Sequence, residues 1–220
     1  MPDVSVVAIS DLHGYLPEDL PACDLLLIAG DICPLRDHSP PAQAHWLGTT
    51  FREWLDRQPA REIVATWGNH DFIGERAPEL VPSLRWHMLR DQGVELLGVK
   101  IYGTPWQPWF FDWAFNLYEP ELQQKWKLIP QGTDILLLHG PPHGFGDMTV
   151  SGQRTGSPSL TRRIAEIKPQ LAVFGHIHEG YGVFDLDGTA LANVSLLNVR
   201  YEPVNRPFVT RIQLSEARSS

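Results

Sequence analysis

Five short apolar runs, each closed by a polar turn carrying Asp, Asn or His, constrain this 220-residue chain more than any other feature. Residues 4–9 lead into Ser10-Asp11-Leu12-His13-Gly14, and residues 25–28 into Ala29-Gly30-Asp31. Residues 63–67 lead into Gly68-Asn69-His70-Asp71, residues 135–138 into His139-Gly140-Pro141-Pro142, and residues 171–174 into Gly175-His176-Ile177-His178. Uninterrupted apolar runs of this length read as strands buried on both faces. In open α/β sheets, ligands gather outside the carboxyl ends of the strands. All five polar tips sit at such ends, so the fold is expected to deliver them to one place.

The segments between the runs fit an α/β architecture. Leu47, Phe51, Trp54 and Leu55 recur at helical spacing, which predicts a helix over 42–58. Ser157-Pro158 reads as an N-cap and first helical residue of a helix ending near Lys168-Pro169. Hairpins are expected over 94–102 around Gly98 and over 181–196 around Asp187-Gly188, with a last strand at 208–214. The length suits one domain, 1–214, followed by a frayed tail at 215–220.

Composition excludes some partners. The formal net charge of −8 gives no general positive field for polymeric nucleic acid or an anionic membrane, although a local positive pocket stays open. No apolar run approaches the roughly 20 residues that span a bilayer. Met1-Pro2-Asp3 runs straight into the first strand without a basic leader, so a cytoplasmic protein with Cys23 and Cys33 reduced and structural is expected. The tryptophan-rich segment is a candidate surface for self-association as well as for substrate.

The residue types at the tips point to metal chemistry. Asp11 and His13 share one turn, Asp31 can bridge two ions through its two oxygens, and Asn69 offers a neutral carbonyl. His139, His176 and His178 add imidazoles, a mixed oxygen and nitrogen set suited to Mn, Fe, Zn, Co or Ni. Two ions about 3.5–4 Å apart clamp a phosphoryl group for in-line attack by hydroxide bridging the metals. Two carboxylates against two divalent ions leave the pocket about two units positive, matched to a phosphoester. His70 follows Asn69 and is assigned the general acid for the leaving alkoxide, with an ordinary pKa in the useful range. A covalent route is disfavoured, since there is no Gly-x-Ser-x-Gly and neither cysteine adjoins a histidine. Any one tip alone would carry little weight, because lone strand-end histidines are mostly structural. Five of the nine histidines lie in these tips, which uniform scatter would not produce.

In this order the tips resemble the signature of the calcineurin-like metallophosphoesterases. Asp11/His13, Gly30/Asp31, Gly68 to Asp71, His139, and Gly175 to His178 match its blocks, with no ligand position missing. The resemblance implies a four-layer αββα sandwich of two mixed sheets with helices outside. It also implies one ion on Asp11, His13, Asp31 and His178, a second on Asp31, Asn69, His139 and His176, and His70 and Asn69 as catalytic residues. Lys100 to Pro108, Trp113 to Leu117 and Gly144-Phe145-Gly146-Asp147 look like the metallophosphoesterase-domain-containing protein branch. That branch is similar to class III cyclic nucleotide phosphodiesterases, which implies a manganese-favouring hydrolase of small phosphodiesters, cyclic nucleotides among them. The alternatives are a phosphomonoesterase, protein phosphatases included, a nuclease, or a non-catalytic scaffold; the full ligand set argues against the last.

Substrate contacts are read from the loops. Trp106, with Trp109 and Trp113 nearby, offers a ring for stacking on a nucleobase, against the alternative of core packing. His143 lies four residues beyond His139, and Arg154 sits in a Gly/Ser/Thr-rich loop at 149–159 that could reach a phosphate. Asp71 and Glu179 adjoin ligand positions and are candidates to orient them. His38, His45 and His87 receive no role.

Overall fold

The computed structural model describes residues 3–214; the tail expected at 215–220 lies outside the described residues. In chain order, β1 (Asp3–Ile9) and β2 (Cys23–Ala29) precede α1 (Pro40–Trp46), a π-helical turn (Leu47–Phe51) and α2 (Arg52–Asp56). Then come β3 (Ala60–Thr66), α3 (Phe72–Arg76), β4 (His87–Met88), β5 (Gln92–Leu96), β6 (Val99–Thr104), β7 (Gln107–Pro108) and β8 (Asn116–Leu117). The order continues with α4 (Glu119–Lys127), β9 (Ile135–Leu138), α5 (Pro158–Ile167), β10 (Leu171–Phe174), β11 (Gly182–Leu186), β12 (Thr189–Asn193) and β13 (Phe208–Gln213).

Two large mixed sheets result. One has the order β13-β1-β2-β3-β4, parallel except for β13 against β1. The other has the order β11-β12-β10-β9-β6-β5, parallel in the middle with an antiparallel strand at each edge. Val6, Ala8, Leu25, Leu27 and Val64 from the first sheet share one core with Ile101, Ile135, Leu137, Leu171 and Val173 from the second. The alternate residues Ile9, Leu26, Ile28, Leu136 and Phe174 cluster instead with helix residues such as Phe51, Trp54, Leu160 and Ile164. Helix, sheet, sheet and helix therefore stack in four layers, as expected. Each fully buried Leu, Ile or Val contributes about 1.5–3 kcal/mol. A one-residue slip would exchange the two faces of a strand, so register is firmly set.

Two local differences have physical causes. The helix expected over 42–58 starts at Pro40 and carries the π-helical turn in its middle. There Thr49 Oγ1 donates to the His45 carbonyl at 2.7 Å and Arg52 Nε to the Gly48 carbonyl at 3.1 Å, so side chains compete for the backbone acceptors. Helix α4 has no counterpart among the expected elements. Its signals are present: Glu119-Pro120-Glu121 at the start, Lys125 and Lys127 in the last turn, and Leu122 and Trp126 buried four apart.

The polar tips of β1, β2 and β3 come from one sheet and those of β9 and β10 from the other. Backbone bonds tie the two sheets together here, Ser10 N–H donating to the Val194 carbonyl at 3.0 Å and Leu196 N–H to the Ser10 carbonyl at 3.0 Å.

Candidate metal centre

The tips reach one another through unusual backbone. Asp11 (φ +56°), His13 (+46°), Asp31 (+52°) and His176 (+67°) stand in the left-handed region. That region costs a non-glycine residue roughly 1–2 kcal/mol, so neighbours must hold it. Asp11 N–H donates to the Gly30 carbonyl at 3.1 Å, and His13 N–H to the Asp31 carbonyl at 2.8 Å. The glycines of the motifs are spacers of zero width. A Cβ on Gly68 would strike Asp31 Oδ1, one on Gly175 would strike Asp11 Oδ2 and Ser10 Oγ, and one on Gly30 would lie 2.6 Å from His139 Nδ1.

All seven expected ligands converge. His178 Nε2 lies 3.3 Å from His13 Nε2 and 3.4 Å from Asp11 Oδ1, while His13 Nε2 lies 3.6 Å from Asp31 Oδ2. On the other side, His139 Nε2 lies 3.5 Å from the same Asp31 Oδ2 and 2.9 Å from Asn69 Oδ1, which His176 Nδ1 approaches to 2.7 Å. Bonds of about 2.0–2.2 Å to one ion would place neighbouring donors roughly 3.0–3.5 Å apart.

The protons decide whether these atoms are hydrogen-bonded or ligating. His139 Nδ1 sits 2.9 Å from the Ala29 carbonyl and His178 Nδ1 2.9 Å from the Asn198 carbonyl. A carbonyl only accepts, so each Nδ1 carries the hydrogen and each Nε2 turns its lone pair toward the carboxylates. Lone pairs facing carboxylate oxygens suit a cation between them. The residues present fit two ions that share Asp31. Asp11, His13, Asp31 and His178 would hold one, and Asp31, Asn69, His139 and His176 the other.

Electrostatics agree. Burial, then the charges of Asp11 and Asp71, pushes the Asp31 carboxyl well above the usual carboxylate range, so the pocket calls for positive charge. Burial also raises the Asp11 carboxyl, but the imidazoles of His178, His139 and His13 outweigh it and hold Asp11 below its ordinary value. For His178, burial opposes the charge, yet the Asp11 carboxylate and its hydrogen bond win and raise the imidazole to about 9. A proton on Nε2 would stand there where the cation belongs. Burial holds His13 and His139 low and His176 at about 3, as neutral donors.

Surrounding groups lock these candidate ligands in place. Ser195 Oγ donates to Asp11 Oδ2 at 2.7 Å and His176 N–H donates to both Asp11 oxygens at 3.1 Å. Asp71 accepts from Gly68 N–H at 2.8 Å and from Ile32 and Cys33 N–H at 3.0 and 2.8 Å, joining two ligand loops. His70 N–H donates to Asp31 Oδ1 at 2.7 Å, its ring rests on Trp113 at 4.1 Å, and it faces the cavity. Its expected titration near neutrality is not found: burial first, then repulsion from His38 and the ligand histidines, lowers it to about 3.

The cavity has a volume of about 260 Å³ and is walled beyond the ligands by Phe110, Trp113, Glu179, Val199 and Tyr201. None of the three loop residues expected to contact substrate lines it. Trp106 is buried, its Nε1 bonded to Asp91 at 2.9 Å and Lys125 Nζ 4.4 Å from its ring. Arg154 pairs with Asp147 at 2.7 Å, and the buried carboxylate holds the guanidinium away. His143 is exposed, its backbone tied to Ser157 and Thr161 rather than its ring to the site. Tyr201, whose ring sits 5.0 Å from His13 and 5.6 Å from His178, had no motif to announce it. Glu179 lines the cavity but commits a carboxylate oxygen to Val150 N–H at 2.7 Å.

A pH dependence follows for metal-free protein. His13, His70, His139 and His176 have depressed values when folded, so the stability they contribute is present above about pH 6.5 and lost on acidification. Asp31 and Asp71, raised when folded, act oppositely, losing stability as pH rises from about 4, and so does His178, which loses it as pH rises from about 6.5. Five lowered imidazoles, His38 included, outnumber the three raised groups, so the urea midpoint after chelation is expected to be lower at about pH 5 than at about pH 7. An equal or higher midpoint at the acid end would contradict the assignment of these imidazoles as buried and neutral.

The chain is similar to known proteins. The profile of the calcineurin-like phosphoesterase family matches residues 4–180. The chain is 36% identical to human metallophosphoesterase domain-containing protein 1 over 97% of its own length and 72% of that protein. It is 46% identical to UPF0046 protein T07D4.2 of Caenorhabditis elegans, over 94% of this chain and 59% of that one. Among solved structures, it is similar to the phosphopantetheinyl hydrolase PptH of Mycobacterium tuberculosis, with a TM-score of 0.58 and 15% identity over 94% of this chain and 95% of that one. The protein TT1561 of Thermus thermophilus gives a TM-score of 0.55 at 13% identity, over 96% of this chain and the whole of that one. At such identities the structural likeness speaks for the fold.

Proposed function

Because the chain belongs to the calcineurin-like phosphoesterase family, we propose that this metal-dependent phosphoester hydrolase acts on small phosphodiesters, nucleotides among them, in preference to phosphomonoesters. The observation that supports this is the charge of the cavity wall. Among the described residues lining it, none is lysine or arginine; Phe110, Trp113, Val199 and Tyr201 stand there instead, with Glu179. A monoester is largely a dianion near neutral pH and gains from added cations. A diester carries one charge and two organic arms, which suits apolar and aromatic walls better. The modest cavity favours a small molecule over a polymer.

Two bound divalent ions, manganese favoured, would supply positive charge to the phosphoryl oxygens and lower the pKa of a water. The chain's own residues do the rest. Asp31 stands between the two donor sets, Asn69 Oδ1 unites His139 and His176, and Ser195 and Asp71 keep those groups in place. His70, held neutral, offers an N–H to the leaving oxygen. The buried free thiols of Cys23 and Cys33 fit action in a reducing, cytoplasmic setting. No helix among the described residues is long and apolar enough to cross a membrane.

With Mn2+ supplied, kcat/KM for bis-p-nitrophenyl phosphate is expected to exceed that for p-nitrophenyl phosphate by about tenfold or more. Faster turnover of the monoester would sink the diester preference while leaving the metal centre intact.

A further inference from the structure

His38 belongs to none of the motifs, yet it is the partner of His70. Its Nε2 lies 3.1 Å from His70 Nδ1, with the ring centroids 5.1 Å apart. His38 is itself held from two other sides, its ring 5.4 Å from both Phe72 and Trp113, the latter edge-on. Trp113 also carries the His70 ring, so His38, His70 and Trp113 form one packed group drawn from three separate loops.

The segment bearing His38 is built rather than loose. Asp37 Oδ1 accepts the Ser39 N–H at 2.9 Å, an Asx turn that leads into Pro40 at the start of α1. One turn later, buried Gln43 reaches the His70 loop with both ends of its amide. Its Nε2 donates to the His70 carbonyl at 2.7 Å and its Oε1 accepts the Ile73 N–H at 2.8 Å. The backbone of His70 is thus fixed by Gln43 and by Asp31, and its ring packs on Trp113 and edge-on to His13; among the described residues the hydrogen bond to a ring nitrogen, which sets the tautomer, is the one with His38.

We propose that His38 is a positioning residue for His70: its Nε2–H donates to His70 Nδ1, so that His70 carries its N–H on Nε2 and turns it to the cavity. A neutral imidazole has one donor and one acceptor, and the partner on one nitrogen decides which the other will be. Were the bond reversed, His70 would turn a lone pair toward the leaving oxygen and repel it. The proposal rests on the hydrolase function above and adds to it the residue that makes His70 a donor.

The test compares His38→Ala, His38→Gln and His70→Ala in the full chain, each checked for metal content and thermal melting. Turnover is measured on bis-p-nitrophenyl phosphate, which has a good leaving group, and on dialkyl phosphates with poor ones. His38→Ala is expected to lose roughly 30-fold on the poor leaving groups and only a few-fold on p-nitrophenoxide. Adding it to His70→Ala should cost nothing more, since both act through one group. Glutamine, whose amide N–H can reach Nδ1, should restore much of the loss. In 15N spectra of the parent loaded with diamagnetic Zn2+, His70 should show Nε2 protonated, and His38→Ala should move it toward a mixture of tautomers. A uniform loss on all esters, additivity with His70→Ala, or an Nδ1-protonated His70 in the parent would overturn the proposal. If His70→Ala itself shows no dependence on the leaving group, the donor role of His70 fails first, and the two failures are distinguishable.

Discussion

Asp31→Ala is expected to yield a folded protein that retains neither ion and turns over bis-p-nitrophenyl phosphate at less than about one thousandth of the parent rate. One oxygen explains the size of the effect. Asp31 Oδ2 lies 3.6 Å from His13 Nε2 and 3.5 Å from His139 Nε2, on the seam between the two donor sets. Removing it opens both sites at once, whereas the loss of any one imidazole would open one. The structural penalty is small by comparison. His70 N–H loses the acceptor it has at 2.7 Å, worth about 1–3 kcal/mol if left unpaired. Against this, the variant removes a buried carboxylate that repels Asp11 and Asp71, the repulsion that helps raise its own pKa. Chelated parent and chelated variant should therefore melt close together, and only the parent should gain stability when metal is added. Metal analysis alongside calorimetry checks this; a variant that keeps two ions and several per cent of the parent's turnover would show that Asp31 does not bridge.

His70→Ala should have the opposite profile, with metal content preserved and chemistry impaired. None of the short contacts among the seven ligands involves the His70 ring, whose Nδ1 is taken by His38. A positioned hydrogen-bond donor to the developing charge contributes about 10²–10³-fold, so a loss near the lower end of that range is expected on alkyl leaving groups. On p-nitrophenoxide, which departs without assistance, the loss should be only a few-fold. Because His70 is neutral across the working range, its value lowered to about 3, the variant should keep the parent's pH–rate profile near neutrality. A neutral inflection that disappears with His70 would mean that the ring titrates there after all, and that burial does not hold it neutral.

How far the residues could be read in advance differs between parts of the site. The seven candidate ligands were legible because each lies in the turn that closes an apolar strand, and a strand's end is located by its own pattern. Glycines beside them were legible too, though their reason was not: Gly68 and Gly175 are there because Asp31 and Asp11 occupy the space a side chain would need. Walls of the cavity were not legible. Trp106 and Trp113 are seven residues apart in one aromatic stretch, and nothing local says which faces the site. Trp106 follows β6 and is drawn inward by Asp91, Thr104 sharing the same carboxylate, while Trp113 lies in the following loop against His70. Arg154 has the right charge for a phosphate contact, but buried Asp147, seven residues earlier, claims it. His38 carried no periodicity or spacing, only a contact at 3.1 Å with a residue 32 positions away.

By itself, the sequence determined which atoms meet at the centre: covalent order and strand length place Asp11, His13, Asp31, Asn69, His139, His176 and His178 at strand ends, and two sheets packed on one core have nowhere else to bring them. Tertiary structure alone decided what surrounds that centre. The proton on each imidazole depends on whether a carbonyl or another ring faces its far nitrogen. The chemistry of the wall depends on which side chains the packed loops leave uncovered. Both are properties of contacts between distant segments, and those exist only once the layers have closed.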